Sequence, residues 1–254
     1  MELRVLGCHG GETPAHRTSA FLIDGKVGID AGALTSELTL AEQRRVQSVL
    51  VSHCHMDHIQ DLATMADTRC QAGGPTLQLA GTEATIGALK AHFFNDLLWP
   101  DFTKIKTPKG PTIRYLVLKP EVTYDVSGYS VRAVLVSHTV ESAAFVVRRG
   151  RSTIAYSGDT GPTTRLWEVL RSLDLKALLM EVSFPNAQQR LATASGHHTP
   201  RTLASELDKL GDRSDLPILL FHIKPTFERA VLRELTRIRG RNLSILHPGD
   251  TFIL

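Results

Sequence analysis

Ser52-His53-Cys54-His55-Met56-Asp57-His58 is the stretch on which the reading of this chain turns. His53, His55, Asp57 and His58 form the pattern H-x-H-x-D-H, four metal-ligand side chains within six positions. The apolar run Val49-Leu50-Val51 leads in, and an amphipathic stretch from Ile59 to about Ala72 leads out. That succession predicts a strand, a tight ligand-bearing loop and a helix start. Side chains alternate in extended backbone, so His53, His55 and Asp57 are expected on one side, with Cys54 and Met56 on the other. His58 leaves the alternation as the helix begins and can turn toward a second point in space. One short loop can then serve two ions, and neutral imidazoles with a carboxylate suit zinc or a similar divalent metal. The stretch is read as a dinuclear metal centre.

The chain has 254 residues, 42% of them hydrophobic and 22% charged, with a net charge of +3. That length can bury a sizeable core, and the composition is ordinary for a globular protein. The charge is too mild to imply nucleic acid or an anionic membrane as partner. Three cysteines, Cys8, Cys54 and Cys70, show no C-x-x-C spacing, which argues against a disulfide framework and for a reducing compartment. Cys54 lies between two ligands but faces away from them, which suits packing. The N-terminus reads as a short strand rather than a signal peptide, and no transmembrane run is visible, so a cytoplasmic protein is expected.

Outward from the loop, the first half reads as strands with tight turns. Leu3 to Gly7, Ser19 to Ile23 and Lys26 to Asp30 are β-prone, the last two joined by the hairpin signal Asp24-Gly25. Leu40 to Val46 is a helix candidate, and Ser48 to Ser52 feeds the loop. Thr76 to Ala80 reads as a strand and Glu83 to Phe94 as a helix. The apolar stretch Asn95-Asp96-Leu97-Leu98-Trp99-Pro100-Asp101-Phe102 follows, and reads as a lid, a dimer surface or a core cap. Tyr115 to Leu118, Val122 to Val126, Tyr129 to Val136, Ser142 to Arg148 and Ser152 to Ser157 are further strands. Helices are then expected at Thr163 to Ser172, Thr199 to Leu210 and Thr226 to Arg239. They alternate with strands at Leu175 to Val182, Leu216 to His222, Leu243 to Leu246 and Thr251 to Leu254. With no long linker or repeat, residues 1–254 are expected to form a single domain. Its two halves, each strands first and helices later, suit two packed sheets with helices outside, a four-layer α/β sandwich.

A dinuclear centre needs more ligands than one loop supplies. His138 follows Val131 to Val136, Asp159 follows Ile154 to Ser157 within Ser157-Gly158-Asp159-Thr160-Gly161, and His222 ends Ile218 to Phe221. Each is a ligand type at the C-terminal edge of a strand, where site residues gather in layered α/β folds. His197, in Gly196-His197-His198-Thr199, precedes a helix and can be presented as a proton donor, with His198 as the alternative. Glu181 ends a buried strand and is expected to orient that imidazole and raise its pKa. His9 and His16 lack ligand spacing and read as loop residues.

These residues together resemble the metallo-β-lactamase superfamily, in its phosphodiesterase branch. The resemblance implies an αββα sandwich of two mixed β-sheets. It also implies one metal on His53, His55 and His138, a second on Asp57, His58 and His222, and Asp159 bridging both. Asp57 counts with His197 and Glu181 among the catalytic residues it implies. Three further stretches resemble the class II 3′,5′-cyclic-nucleotide phosphodiesterases: Phe93 to Asp101, Glu181 to Asn186 with Gly196 to Pro200, and Phe221-His222-Ile223-Lys224-Pro225. Met56 departs from that pattern, which tends to carry leucine there.

The expected activity is hydrolysis of cyclic nucleotides (cAMP or cGMP) to 5′-nucleotides by a hydroxide that two divalent ions activate. Zinc is the first expectation, with iron or manganese acceptable to the same donors. Asn95, Trp99, His198 and Lys224 are candidate substrate contacts, and a homodimer is compatible with the apolar stretch around Trp99. A ribonuclease Z-like RNA phosphodiesterase shares the ligands but needs a basic RNA-holding arm, which is not visible. A lactonase or thioesterase is a further alternative, because the metals alone do not choose between carbon and phosphorus. A non-catalytic scaffold of this fold would be expected to lack ligands.

Overall fold

A computed structural model describes residues 1–254. Its first strands are β1 (Glu2–Gly7), β2 (Ala20–Ile23), β3 (Val27–Ile29), β4 (Ser48–Leu50) and β5 (Leu77–Gly81). A two-residue-stranded hairpin, β6 (Lys106–Thr107) with β7 (Gly110–Pro111), precedes β8 (Ile113–Val117). The second half contributes β9 (Thr123–Val126), β10 (Tyr129–Val136), β11 (Ser142–Arg149), β12 (Ser152–Tyr156), β13 (Ala177–Glu181), β14 (Pro217–Phe221) and β15 (Asn242–Ile245). The last strand, β16 (Thr251–Ile253), returns to pair with β1.

Two seven-stranded mixed sheets result, ordered β16-β1-β2-β3-β4-β5-β8 and β15-β14-β13-β12-β11-β10-β9. In each, hairpin-connected antiparallel strands give way to parallel strands joined by helical crossovers, β3-β4-β5-β8 in one and β12-β13-β14-β15 in the other. Helices α1 (Leu34–Glu37), α2 (Leu40–Arg45), α3 (Met56–Ile59), α4 (Asp61–Gln71) and α5 (Glu83–Ala88) belong to the first half. Helices α6 (Arg165–Arg171), α7 (Gln189–Ser195), α8 (Pro200–Asp208) and α9 (Glu228–Leu235) belong to the second.

Alternating side chains give each sheet two apolar faces, and three buried clusters follow from them. The facing sides of the sheets share Phe21, Phe145, Tyr156 and Phe221, with the Tyr156 and Phe221 rings stacked at 4.9 Å. The outer face of the first sheet packs Val49, Val51 and Leu79 against Leu62, Met65 and Ala66 of α4. That of the second packs Ala155, Leu178 and Met180 with Trp167 of α6 and Leu203 of α8. This is the four-layer αββα sandwich that the strand and helix pattern predicts.

Three departures from the sequence reading have local causes. Glu83 to Phe94 is not one α-helix: after α5 the chain widens into a π-helical turn over Leu89–Phe93, and the consecutive Phe93 and Phe94 both enter the apolar layer. The short helices α1 and α7 and the β6–β7 hairpin carry too little periodicity to be read. The strand into the metal loop ends earlier than expected. The backbone turns helical at Met56, with His55 as the residue before the helix, so alternation stops there.

The C-terminal ends of β3, β4, β10, β12, β13 and β14 converge on one edge of the sandwich. Asp30, the metal loop, His138, Asp159, Glu181 and His222 respectively leave those ends.

Candidate metal centre

Asp30 organises the metal loop, and the sequence reading overlooked it. Fully buried just after β3, it accepts from Ser52 N–H at Oδ1 (2.8 Å) and from Ser52 Oγ–H at Oδ2 (2.8 Å). His58 Nδ1 (2.7 Å) and the Tyr156 hydroxyl (2.6 Å) also reach Oδ2. Its φ of 55° is left-handed, a conformation that asparagine and aspartate tolerate better than most residues. An aspartate at a strand end, followed by Ala31-Gly32, was the available signal.

Because α3 begins at Met56, Asp57 and His58 both project from a first helical turn. The expectation that Asp57 shares a face with His53 and His55 is therefore corrected. Asp57 groups with His58, Asp159 and His222, while His53 and His55 group with His138. Each group has its donor atoms within 4.8 Å of one another and could hold a metal ion.

Hydrogen bonding on the outward side fixes which nitrogen faces inward. Ser52 Oγ gives its proton to Asp30, so His53 Nδ1–H donates to it at 3.0 Å. Ser183 Oγ gives its proton to Glu181 Oε2 (3.0 Å), so His222 Nδ1–H donates to Ser183 at 2.9 Å. His58 Nδ1–H donates to Asp30, and His138 Nδ1–H donates to the Gly196 carbonyl at 3.0 Å. Four imidazoles thus turn Nε2 into the centre, held from behind in the manner of metal ligands.

Around His55 the inward nitrogens crowd in a way that one proton cannot satisfy. His55 Nδ1 is 3.1 Å from His53 Nε2 and 3.2 Å from His138 Nε2. One hydrogen could serve only one of those contacts. Asp159 Oδ2 lies 3.2 Å from both His58 Nε2 and His222 Nε2, and 3.7 Å from His53 Nε2. His222 Nε2 is 3.3 Å from Asp57 Oδ2. His58 Nε2 and Asp159 Oδ1 are buried without any hydrogen-bond partner. Ligand atoms about 2.1 Å from a shared tetrahedral ion stand roughly 3.4 Å apart, so the spacing and the orphaned atoms fit divalent cations.

Electrostatics agree with that fit. Burial pushes the imidazoles of His53 and His55 down and takes His138 to about 4, keeping all three neutral. Burial would raise Asp57 and Asp159. The His222 hydrogen bond and the His58 and His222 charges outweigh it for Asp57, and the His222 and His58 charges do so for Asp159, holding both carboxyls far below their ordinary range. Burial opposes charge on His58 as well, yet Asp159 and Asp30 outweigh it and hold the imidazole well up. The site draws positive charge.

Two backbone features are specific to this edge. His222 has a φ of 69°, strained for a side chain of that size. Its amide donates to the Cys8 carbonyl at 2.6 Å. Gly10 packs so close that an added Cβ would lie 2.6 Å from the His222 carbonyl oxygen and 2.9 Å from its Nδ1. At Gly196, with φ of 68°, a Cβ would stand 2.9 Å from His138 Cα.

Beside the ligands, His197 Nδ1 sits 3.2 Å from Glu181 Oε1. Its ring stacks on His222 at 5.0 Å and stands 5.0 Å from His138. The expectation that Glu181 raises this imidazole is corrected. Both groups are buried, and burial pushes the carboxyl up and the imidazole down, so a neutral pair sharing one proton is favoured over an ion pair. His198, the other expected donor or substrate contact, lies behind Glu181 with Nε2 buried and unpartnered. Its fully buried ring faces Thr202 Oγ1 at 3.2 Å, and its amide donates to Glu181 Oε1 at 3.1 Å.

Of the other expected contacts, Lys224 reaches the rim, its Nζ 4.0 Å from Asp57 Oδ2. Asn95 is spent on its own loop: Oδ1 accepts from the amides of Leu97 (3.1 Å) and Leu98 (2.8 Å). Trp99 is half-buried against the first-sheet helices, with Nε1 donating to the Ala63 carbonyl at 3.1 Å.

Comparison with known proteins places this arrangement. Residues 20–223 match the family described as "Beta-lactamase superfamily domain". A probable 3′,5′-cyclic-nucleotide phosphodiesterase of Yersinia pestis is 25% identical over 310 aligned positions, covering 98% of this chain and 88% of that protein. A 3′,5′-cyclic-nucleotide phosphodiesterase of Schizosaccharomyces pombe is 30% identical, over 84% of this chain and 63% of its own length. Among solved structures, unliganded yeast PDE1 superimposes with a TM-score of 0.82 at 21% identity, covering 100% of this chain and 99% of that one.

Proposed function

Because the chain belongs to the beta-lactamase superfamily, we propose that it is a metal-dependent phosphodiesterase that hydrolyses 3′,5′-cyclic nucleotides to 5′-nucleotides. The observation that carries the reading is the Glu181–His197 pair facing seven converging ligand-type side chains. Relatives named as cyclic-nucleotide phosphodiesterases support the substrate class. In this reading residues 1–254 act as one domain.

His53, His55 and His138 would hold one divalent ion, Asp57, His58 and His222 the other, and Asp159 would contact both. Bound there, two such ions, zinc first and iron or manganese next, would supply Lewis acidity at the phosphoryl oxygens and a water of lowered pKa. The chain's own residues do the rest. Asp30, Ser52 and Ser183 fix the imidazole tautomers, so the donor set needs little rearrangement. Lys224, beside Asp57, is placed to meet a non-bridging phosphate oxygen by charge alone. A ribose 3′-alkoxide is a poor leaving group and needs a proton as the P–O bond breaks. In the neutral pair the carboxyl proton lies between Glu181 Oε1 and His197 Nδ1, and His197 keeps Nε2–H. As the Nε2 proton passes to the leaving oxygen, the carboxyl proton moves to Nδ1, leaving a neutral imidazole oriented by the Glu181 carboxylate. Ser183 bridges Glu181 to His222, so the proton pair and the ligand set are positioned by one hydroxyl.

A small-molecule substrate fits the mild charge, and no helix is long and apolar enough to cross a membrane. Purified protein assayed on cAMP, cGMP and a precursor transfer RNA, with and without chelator, tests the reading. Chelator-sensitive release of 5′-nucleotide, with no trimming of the RNA, is expected. RNA processing without cyclic-nucleotide turnover would favour a ribonuclease Z-like enzyme, and inactivity on all three would leave a lactonase or thioesterase.

A further inference from the structure

His9 and His16 lie on the loop between β1 and β2, where sequence spacing reads them as loop residues. Folding brings them to Glu228, the first residue of α9 and 212 positions from His16. Donor atoms from the three lie within 4.8 Å of one another. We propose that His9, His16 and Glu228 form a peripheral site for a zinc-like divalent cation, separate from the centre around Asp159.

The hydrogen-bond pattern around the cluster carries this. His16 Nδ1 lies 2.5 Å from Thr13 Oγ1, which also accepts from the Ala15 amide at 3.2 Å. His16 Nε2 faces Glu228 Oε2 at 3.5 Å, longer than an ordinary N–H···O hydrogen bond and open to an ion between them. A proton would serve those two atoms and leave His9 without a role. Yet the His9 ring is buried and meets the His16 ring edge to face at 4.6 Å. Its Nδ1 meets the Arg17 backbone, with the carbonyl at 3.3 Å and the amide at 3.4 Å, so Nε2 is the nitrogen left to take a ligand. The 3.5 Å separation matches the roughly 3.4 Å between ligands of one tetrahedral ion.

The charges around the cluster also favour a divalent ion. Two neutral imidazoles and one carboxylate leave a single negative charge, suited to such an ion completed by water. Arg17, the nearest guanidinium on the loop, is spent on the Thr13 carbonyl and Glu37, so it does not neutralise Glu228. Cys8 is not a fourth ligand: its thiol donates to the Leu246 carbonyl at 3.1 Å, and burial pushes its pKa up to about 12.

An ion here would staple three pieces of chain behind the main centre. The His9 backbone bridges Ile223, the Gly10 amide donates to the Ile223 carbonyl at 3.1 Å, and the Cys8 carbonyl accepts from the His222 amide. The cation would thus tie the first loop and α9 to the strained segment that carries His222.

Zinc equivalents, measured by elemental analysis after equilibration at low-micromolar free zinc, test the site in wild type, His16→Ala and Glu228→Gln. Each variant is expected to hold one equivalent fewer per chain than wild type. Glu228→Gln preserves size at a half-exposed helix start, and it carries the comparison should His16→Ala fail to fold by circular dichroism. Only the difference is read, so the result stands apart from the number of ions around Asp159 and from the substrate. Equal equivalents in all proteins would overturn the proposal, as would an extra equivalent that fills only at millimolar zinc. Loss of two or more equivalents would also overturn it, because His16 would then act through His222 rather than on an ion of its own.

Discussion

Asp30 Oδ2 takes contacts from Ser52, His58 and Tyr156, and Oδ1 takes the Ser52 amide. Asp30→Asn would put an amide among donors that have nowhere else to turn. Metal affinity in a chelator competition should fall about 10–100-fold, as when outer hydrogen bonds of metal ligands are lost. Unchanged affinity would mean that His58 is oriented by something else. His197 is tested by its leaving group. His197→Ala should lower kcat on cyclic nucleotide about 10²–10⁴-fold with metals retained. The loss should be far smaller on a p-nitrophenyl phosphodiester, whose leaving group departs unprotonated, and equal losses would remove His197 from the donor role. The buried histidines also predict a pH dependence. His138 is held at about 4 against an ordinary value of 6.5, so between those values the unfolded chain binds protons that the folded one does not. Stability of chelator-stripped protein should therefore rise with pH across that window and fall as pH drops from 6.5 toward 4. His58, held up, is protonated in both states there and adds no slope. A melting temperature flat from about pH 6.5 down to 4.5 would contradict this. At this scale the ligand-type side chains of the loop were legible because H-x-H-x-D-H is local. Asp30, Ser183 and the His9–His16–Glu228 cluster were not, since only folding brings their partners together.

The segment Asn95 to Phe102 shows what an element can hide. Its apolar letters suggested a lid, a dimer surface or a core cap, and periodicity could not choose. In the fold Asp96 Oδ1 accepts from the Asp101 amide (2.8 Å), and Lys104 bonds Asp96 at 2.9 Å. That polar frame, with Asn95, sends Trp99 inward onto α4 and leaves Leu97 90% and Leu98 59% exposed. Trp99→Ala should thus mainly destabilise, by about 3 kcal/mol, the low end for a large aromatic because the ring is half-exposed. The melting temperature should fall by about 6–12 °C, with KM for cyclic nucleotide within twofold of wild type. A severalfold rise in KM at unchanged melting temperature would restore the lid reading. The strand into the metal loop failed at its end for a related reason: helical geometry starting at Met56 is set by tertiary packing, which alternation cannot foresee.

Across the molecule, strands-then-helices repeated in two halves was enough to predict two sheets under helical layers. The C-terminal ends of strands were enough to predict where His138, Asp159 and His222 would meet. Sheet order and the return of β16 to β1 were beyond reach, because they pair residues 2–4 with 251–253. The central expectation is that two ions share Asp159. The direct measurement is reconstitution of metal-stripped His16→Ala protein, in which the peripheral cluster is removed, with zinc added stepwise while cyclic-nucleotide hydrolysis is followed. Activity should climb to its plateau at two equivalents per chain, and Asp159→Ala in the same background should never reach it. Full activity at one equivalent, or in the stripped protein, would contradict the account.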